Sequence, residues 1–203
     1  MSSNAKGNET PVTSKLTPLM LNHAAWVTHD VEATADFYTR IMGMELASTV
    51  FDDKIPSTGD PFPYFHIFFR MQDGSTIAFF EGPDVPPRPE ITHPVYGLWD
   101  HFAVEASSRA EVDEWRIWLL SNDIPVVGPT DHKGLIYSIY FQDPNGLRLE
   151  ITAPLDVNWN QKKEQGERDL KLWGDTKRKA LEEGRSVAEA LSNLISEQRK
   201  RYE

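Results

Sequence analysis

The stretches LNHAAWVTHDVEATADFYTRIMGMEL (residues 21–46) and WDHFAVEASSRAEVDEWRIWLLSNDIPV (residues 99–126) decide the fold, because they are one pattern written twice. Each places a histidine, His23 or His101, in a strand-like segment, follows it with a helix carrying aromatic residues, and ends in a tight turn. In the first copy, residues 20–28 read as a strand and Asp30 as the cap of a helix running to about residue 42. Val31, Ala35, Phe37, Tyr38 and Ile41 recur there at helical spacing, and Gly43 stops it. Strands are expected at 44–51, 63–71 and 75–81, the last two joined by the Asp73-Gly74 turn. The second copy repeats the order: a strand over 98–105, a helix over 108–122 with Val112, Trp115, Ile117, Trp118 and Leu119, then strands near 125–127, 135–141 and 147–152. Each copy is a β-α-β-β-β unit, so the class is α+β with two paired modules, 18–82 and 97–154.

The rest of the chain frames these modules. Residues 1–17 are rich in Ser, Asn, Thr and Lys and read as a flexible tail. The segment 83–96 is a Pro-rich linker, expected to be extended. Residues 155–203 turn to Lys, Glu, Arg and Gln with sparse apolar positions such as Leu172, Trp173, Leu191 and Leu194, the mark of one or two amphipathic helices. These could pack on the globule or on a second copy, so a homodimer is expected.

Composition excludes several classes. The chain has 203 residues and a formal charge of −10, which repels phosphate backbones and makes nucleic acid an improbable partner. No apolar run is long enough to span a bilayer and the first residues lack a hydrophobic segment, so no membrane contact and a cytoplasmic location are the expectation. With no cysteine, metal chemistry is left to His, Asp and Glu.

The stretch DHKGLIYSIYFQDPNGLRLE (residues 131–150) ends on a carboxylate whose orientation matters. At the two-residue period of a strand, Leu147, Leu149 and Ile151 share one face while Arg148, Glu150 and Thr152 share the other. Glu150 therefore points away from the apolar face. In the first strands, His23 shares a face with Ala25 and Val27, and His101 with Ala103 and Glu105, so small neighbours leave room beside each imidazole. If the modules pair about a pseudo-twofold axis, His23, His101 and Glu150 can face one point, and two imidazoles and a carboxylate suit a divalent ion with open positions.

The repeat together with His23, His101 and Glu150 resembles the vicinal oxygen chelate superfamily, which includes glyoxalase I, methylmalonyl-CoA epimerase, fosfomycin and bleomycin resistance proteins and type I extradiol dioxygenases. The resemblance covers about residues 19–154 and implies an eight-stranded cup around one metal. Within the superfamily, Thr130, His132, Ile139, Tyr140, Asp143, Pro144, Gly146 and Glu150 are similar to the signature of the extradiol ring-cleaving dioxygenases. That resemblance implies His23, His101 and Glu150 as metal ligands, and Tyr140 and His132 as donors to substrate or bound oxygen. It also implies Fe(II), with Mn(II), Ni(II) or Zn(II) compatible with the same ligands, a small aromatic substrate with vicinal oxygens, and O2.

Two departures qualify the match. Where many extradiol enzymes carry an acid–base histidine, and glyoxalase I a fourth ligand, this chain has Ala78. Glu81, three residues on, has the opposite strand parity and stays out of the ligand set, while His66 in the aromatic strand reads as a packed or edge residue that could substitute for the missing histidine. The alternative activity is a metal-dependent lyase, isomerase or epimerase acting through an enediolate. A sequestering protein of the bleomycin-resistance kind is disfavoured, because that class lacks the triad.

Overall fold

The computed structural model describes residues 16–83, 85–86 and 93–200, so all but two residues of the expected tail over 1–17 and half of the Pro-rich linker over 83–96 lie outside the described residues. Each βαβββ module builds its own four-stranded mixed sheet. The first has the order β1-β4-β3-β2, from β1 (His23–Val27), β2 (Glu45–Lys54), β3 (Pro61–Arg70) and β4 (Thr76–Glu81). The second has the order β5-β8-β7-β6, from β5 (Phe102–Glu105), β6 (Val127–Asp131), β7 (Ile136–Gln142) and β8 (Arg148–Pro154). By packing, the chain falls into two units. One holds the described residues up to Val104 with Trp115–Val127 and Tyr140–Glu150; the other holds Glu105–Glu114, Gly128–Ile139 and the residues from Ile151 onward.

The first unit is organised by α1 (Val31–Asp36), whose start is fixed as expected by the Asp30 side chain accepting from Ala33 N at 2.9 Å. The helix does not stay α-helical to its end: Phe37–Ile41 forms a π-helical turn, so Met42 N–H bonds back to Phe37 O at 3.0 Å. That turn seats Tyr38, fully buried, against Phe69 at 5.3 Å and Phe79 at 5.0 Å between ring centres. Tyr38 donates to Asp143 Oδ2 at 3.1 Å, and burial together with the Asp143 charge holds the phenol well above the usual tyrosine range. Asp143 is the Asp of the Asp-Pro-Asn-Gly turn, and its Oδ1 accepts from the Asn145 and Leu147 backbone N–H groups, each at 2.8 Å. The Trp118 indole, on α3 (Arg109–Ser121), donates to Ile41 O at 2.9 Å.

Several boundaries differ from expectation: β2 runs on to Lys54 rather than ending at 51, and β6 starts where the strand expected near 125–127 was to end. The segment expected to open the second module as a strand begins instead with α2 (Pro94–Trp99), where Pro94 occupies the first turn and the His93 imidazole accepts from Val95 N at 3.1 Å. Leu98 is thus helical. His101 precedes β5 by one residue rather than lying in it.

In the second unit, Tyr137 donates to Asp113 at 2.9 Å and carries the Arg109 guanidinium 4.3 Å over its ring. The C-terminal extension forms two helices, α4 (Lys163–Glu182) and α5 (Val187–Lys200), with Ala180 and Ala190 buried. No helix among the described residues is long and apolar enough to cross a membrane.

Candidate metal and substrate site

The register of the first sheet fixes which side chains share a face. His23 pairs with Thr76, Ala25 with Ala78 and Val27 with Phe80, while on the other side of β4 Phe68 pairs with Ala78 and His66 with Phe80. His23, Ala78, Phe68 and His66 therefore line one face. Glu81, at odd parity, turns to the opposite face, where its Oε1 accepts from Val31 N–H at 3.0 Å and closes the start of α1. The parity that kept Glu81 out of the ligand set is what places it under a helix.

On that shared face His66 is packed rather than at an edge: it is 7% exposed, stacked on Phe80 at 3.5 Å and 18°, with His23 6.3 Å away. Its Nε2 is buried without a partner. Burial first, and the neighbouring His23 charge second, lower its pKa to about 4, so the ring is neutral at physiological pH. His23 bonds through Nδ1 to the Asn22 side-chain oxygen at 2.7 Å.

The second constellation forms around Glu150. This carboxylate is only 3% exposed, so it is not the solvent-facing acid of a surface strand. His101 Nε2 stands 2.7 Å from its Oε2, and the Tyr140 hydroxyl donates to its Oε1 at 3.2 Å. The other imidazole nitrogen, Nδ1, is 2.6 Å from Trp99 O, a carbonyl that can only accept, so Nδ1 carries a hydrogen. Nε2 then faces a second acceptor and needs either a proton or a cation between itself and Glu150. A ligand histidine whose other nitrogen donates to a backbone carbonyl is the usual arrangement at metal sites. Two donors bound side by side to one ion at 2.0–2.2 Å stand about 3 Å apart, close to the 2.7 Å seen here. His101 and Glu150 thus fit two positions on a divalent ion. The third expected ligand, His23, is not gathered with them: among the described residues no three His, Asp or Glu side chains form a group able to hold an ion. His132, in the second unit, is half-buried, with its backbone N–H bonded to Ile136 O at 2.9 Å where the chain turns into β7.

Residues 20–151 match the model of the Glyoxalase/Bleomycin resistance protein/Dioxygenase superfamily, about two-thirds of the chain. The chain belongs to that superfamily. Among solved structures, a glyoxylase/bleomycin resistance protein/dioxygenase domain from a Frankia species is 14% identical, with 68% of this chain and 99% of that one covered at a TM-score of 0.55. The fosfomycin resistance protein FosX from Listeria monocytogenes is 20% identical, with 70% and 98% covered at 0.51. A lactoylglutathione lyase from Agrobacterium tumefaciens is 26% identical, with 68% and 96% covered at 0.48. The first two share the fold with this superfamily member. The sequence reading placed Arg148 on the face of Glu150 by strand alternation but gave it no role; its guanidinium lies 4.4 Å over the Tyr140 ring.

Proposed function

We propose that this superfamily member is a metal-dependent, extradiol-type ring-cleaving dioxygenase acting on an aromatic substrate with two adjacent oxygens. The observation that carries the reading is Glu150, a buried carboxylate held at once by His101 Nε2 at 2.7 Å and the Tyr140 hydroxyl at 3.2 Å. His101 and Glu150 would hold Fe(II), with Mn(II), Ni(II) or Zn(II) as substitutes, and His23, which stands apart from them in this structure, is assigned the third position. The ion, when bound, supplies Lewis-acid polarisation of two substrate oxygens and an open position for O2.

The chain's own groups do the rest. Trp99 O orients the His101 ring through Nδ1, and burial keeps water from the Glu150 carboxylate. The Tyr140 phenol, already beside Glu150, donates to a substrate oxygen as negative charge grows on it, and His132 is assigned the companion donor role. With Glu81 committed to α1 and Ala78 on the face of β4 that His23 shares, no carboxylate from β4 completes a four-ligand glyoxalase-type set. The chain is further read as a homodimer.

A second reading, a lyase or isomerase that moves a proton next to a carbonyl, draws on His66: a neutral imidazole with a free nitrogen on the face of His23 can accept a proton. Anaerobic reconstitution with Fe(II), followed by oxygen-uptake measurements on a panel of catechols, separates the two. Ring cleavage predicts oxygen consumption with a yellow ring-opened product. Stoichiometric metal without oxygen uptake, together with deuterium exchange into a hydroxycarbonyl substrate, transfers the assignment to the second reading. Light scattering on the full chain tests the dimer.

A further inference from the structure

His101 lines one wall of a cavity of about 610 Å³ whose other walls carry Trp26, Tyr96, Trp99, Gln142 and Arg148. That volume is ordinary for a pocket holding one small molecule. The wall chemistry is uneven: three large aromatic rings, one guanidinium, and a single carboxylate, Asp100, which is exposed.

Arg148 is the unusual member. In a chain of net charge −10, arginines readily find carboxylates, as Arg40 does with Asp36 and Arg185 with Glu183, each at 2.7 Å. Arg148 is half-buried, yet among the described residues it has no hydrogen-bond or carboxylate partner. Its one contact of note is the Tyr140 ring, and its Nε is buried and unsatisfied. The acid nearest in sequence, Glu150, is already held by His101 and Tyr140. The Arg148 Nε is shut off from water without a partner, and the planar fork matches a carboxylate at two points. The stack on Tyr140 fixes the plane of that fork without using its donors.

We infer that this pocket selects a substrate with an anionic group, a carboxylate borne by a flat aromatic body, with Arg148 receiving the carboxylate and Trp26 and Trp99 flanking the ring. The inference rests on the proposed ring-cleaving function for the reactive end of the substrate. It adds the identity of the distal end: an aromatic acid rather than a neutral catechol.

Binding alone tests it. The full-length, metal-free chain is titrated with protocatechuate, with its uncharged amide and with catechol, following tryptophan fluorescence, since two of the six tryptophans line the pocket. The acid is expected to bind about tenfold or more tighter than the amide. Arg148→Met should abolish that preference, Arg148→Lys should keep part of it, and added salt should reduce it. Equal binding of acid and amide to the unmodified chain overturns the inference, as does a preference that survives in Arg148→Met with an unchanged circular dichroism spectrum. Should Arg148→Met fail to fold, the acid-to-amide ratio in Arg148→Lys decides: a ratio undiminished from the unmodified chain overturns the assignment to Arg148. A chain that prefers the acid but consumes no oxygen with any catechol overturns the ring-cleaving function and leaves the anion preference intact. One that cleaves neutral catechols without preferring the acid does the reverse.

Discussion

The last strands of the two repeats each carry a glutamate, and the two have opposite fates. Glu81 on β4 faces the helix side and bonds to Val31 N–H, whereas Glu150 on β8 is buried against His101 and Tyr140. One step in strand parity separates a helix-capping acid from a candidate metal ligand. The histidines diverge in the same way. His101 is oriented by Trp99 O and faces Glu150, while His23 sits with Asn22 and the neutral, buried His66. The two repeats share one scaffold, and their polar partners differ.

The strongest test of that contrast is Glu150→Gln. The amide keeps the shape but removes the charge that a cation needs. Metal affinity, read by elemental analysis after equilibrium dialysis against Fe(II) or Mn(II), should fall by at least about 100-fold, and oxygen uptake should fall with it. Retained stoichiometric metal would remove Glu150 from the ligand set and with it the contrast.

Next in size is Asp143→Ala, a change to a motif residue that touches no proposed ligand. Asp143 accepts from two backbone N–H groups and from the fully buried Tyr38 hydroxyl. Removing it leaves that hydroxyl unpaired, and urea unfolding should show a loss of about 2–4 kcal/mol. Among the motif residues Asp143 thus holds the turn ahead of β8, whereas Glu150 and Tyr140 are those to which the proposed chemistry is assigned.

The strand alternation and helix caps were legible because they are local. Asp30, the Asp73-Gly74 turn and the orientation of Glu150 and Glu81 all follow from periods of two and from turn chemistry. What escaped depends on longer-range contacts or on backbone detail. The π-helical turn at Phe37–Ile41 leaves the apolar spacing intact and so gives no signal. His101 was read as a strand residue because the alternating pattern runs on through it, while Pro94 starts a helix that uses up Leu98 and Trp99 first. His66 was weighed only as a packed or edge residue with a possible substitute role. Its buried, unpaired nitrogen needs the rings of Phe68 and Phe80 in place to be seen.

His66 sharpens the comparison through pH. Its folded pKa, about 4, lies below the ordinary 6.5, so the unfolded chain takes up the proton first as pH falls. The stability tied to this residue is complete above about pH 6.5 and is lost progressively down to about pH 4, where the folded form also protonates. That amounts to roughly 1–3 kcal/mol for a group so enclosed. In metal-free protein, His66→Phe should remove this part of the acid limb of the stability profile and leave the neutral-pH stability equal or higher, because an unsatisfied buried nitrogen disappears. An unchanged acid limb would show that His66 titrates as it does in solution.

The smallest expected effect belongs to Glu81→Gln, and its smallness is what gives it value. The neutral amide can still accept from Val31 N–H, so only the interaction of a negative charge with the helix start is lost, about 0.3–1 kcal/mol. Metal content and oxygen uptake should be unchanged, whereas the same chemical change at Glu150 should lower both sharply. If Glu81→Gln lowers metal affinity as well, the β4 carboxylate must leave α1 to join the ion. The site would then be a four-ligand one, and the lyase or isomerase reading would replace ring cleavage.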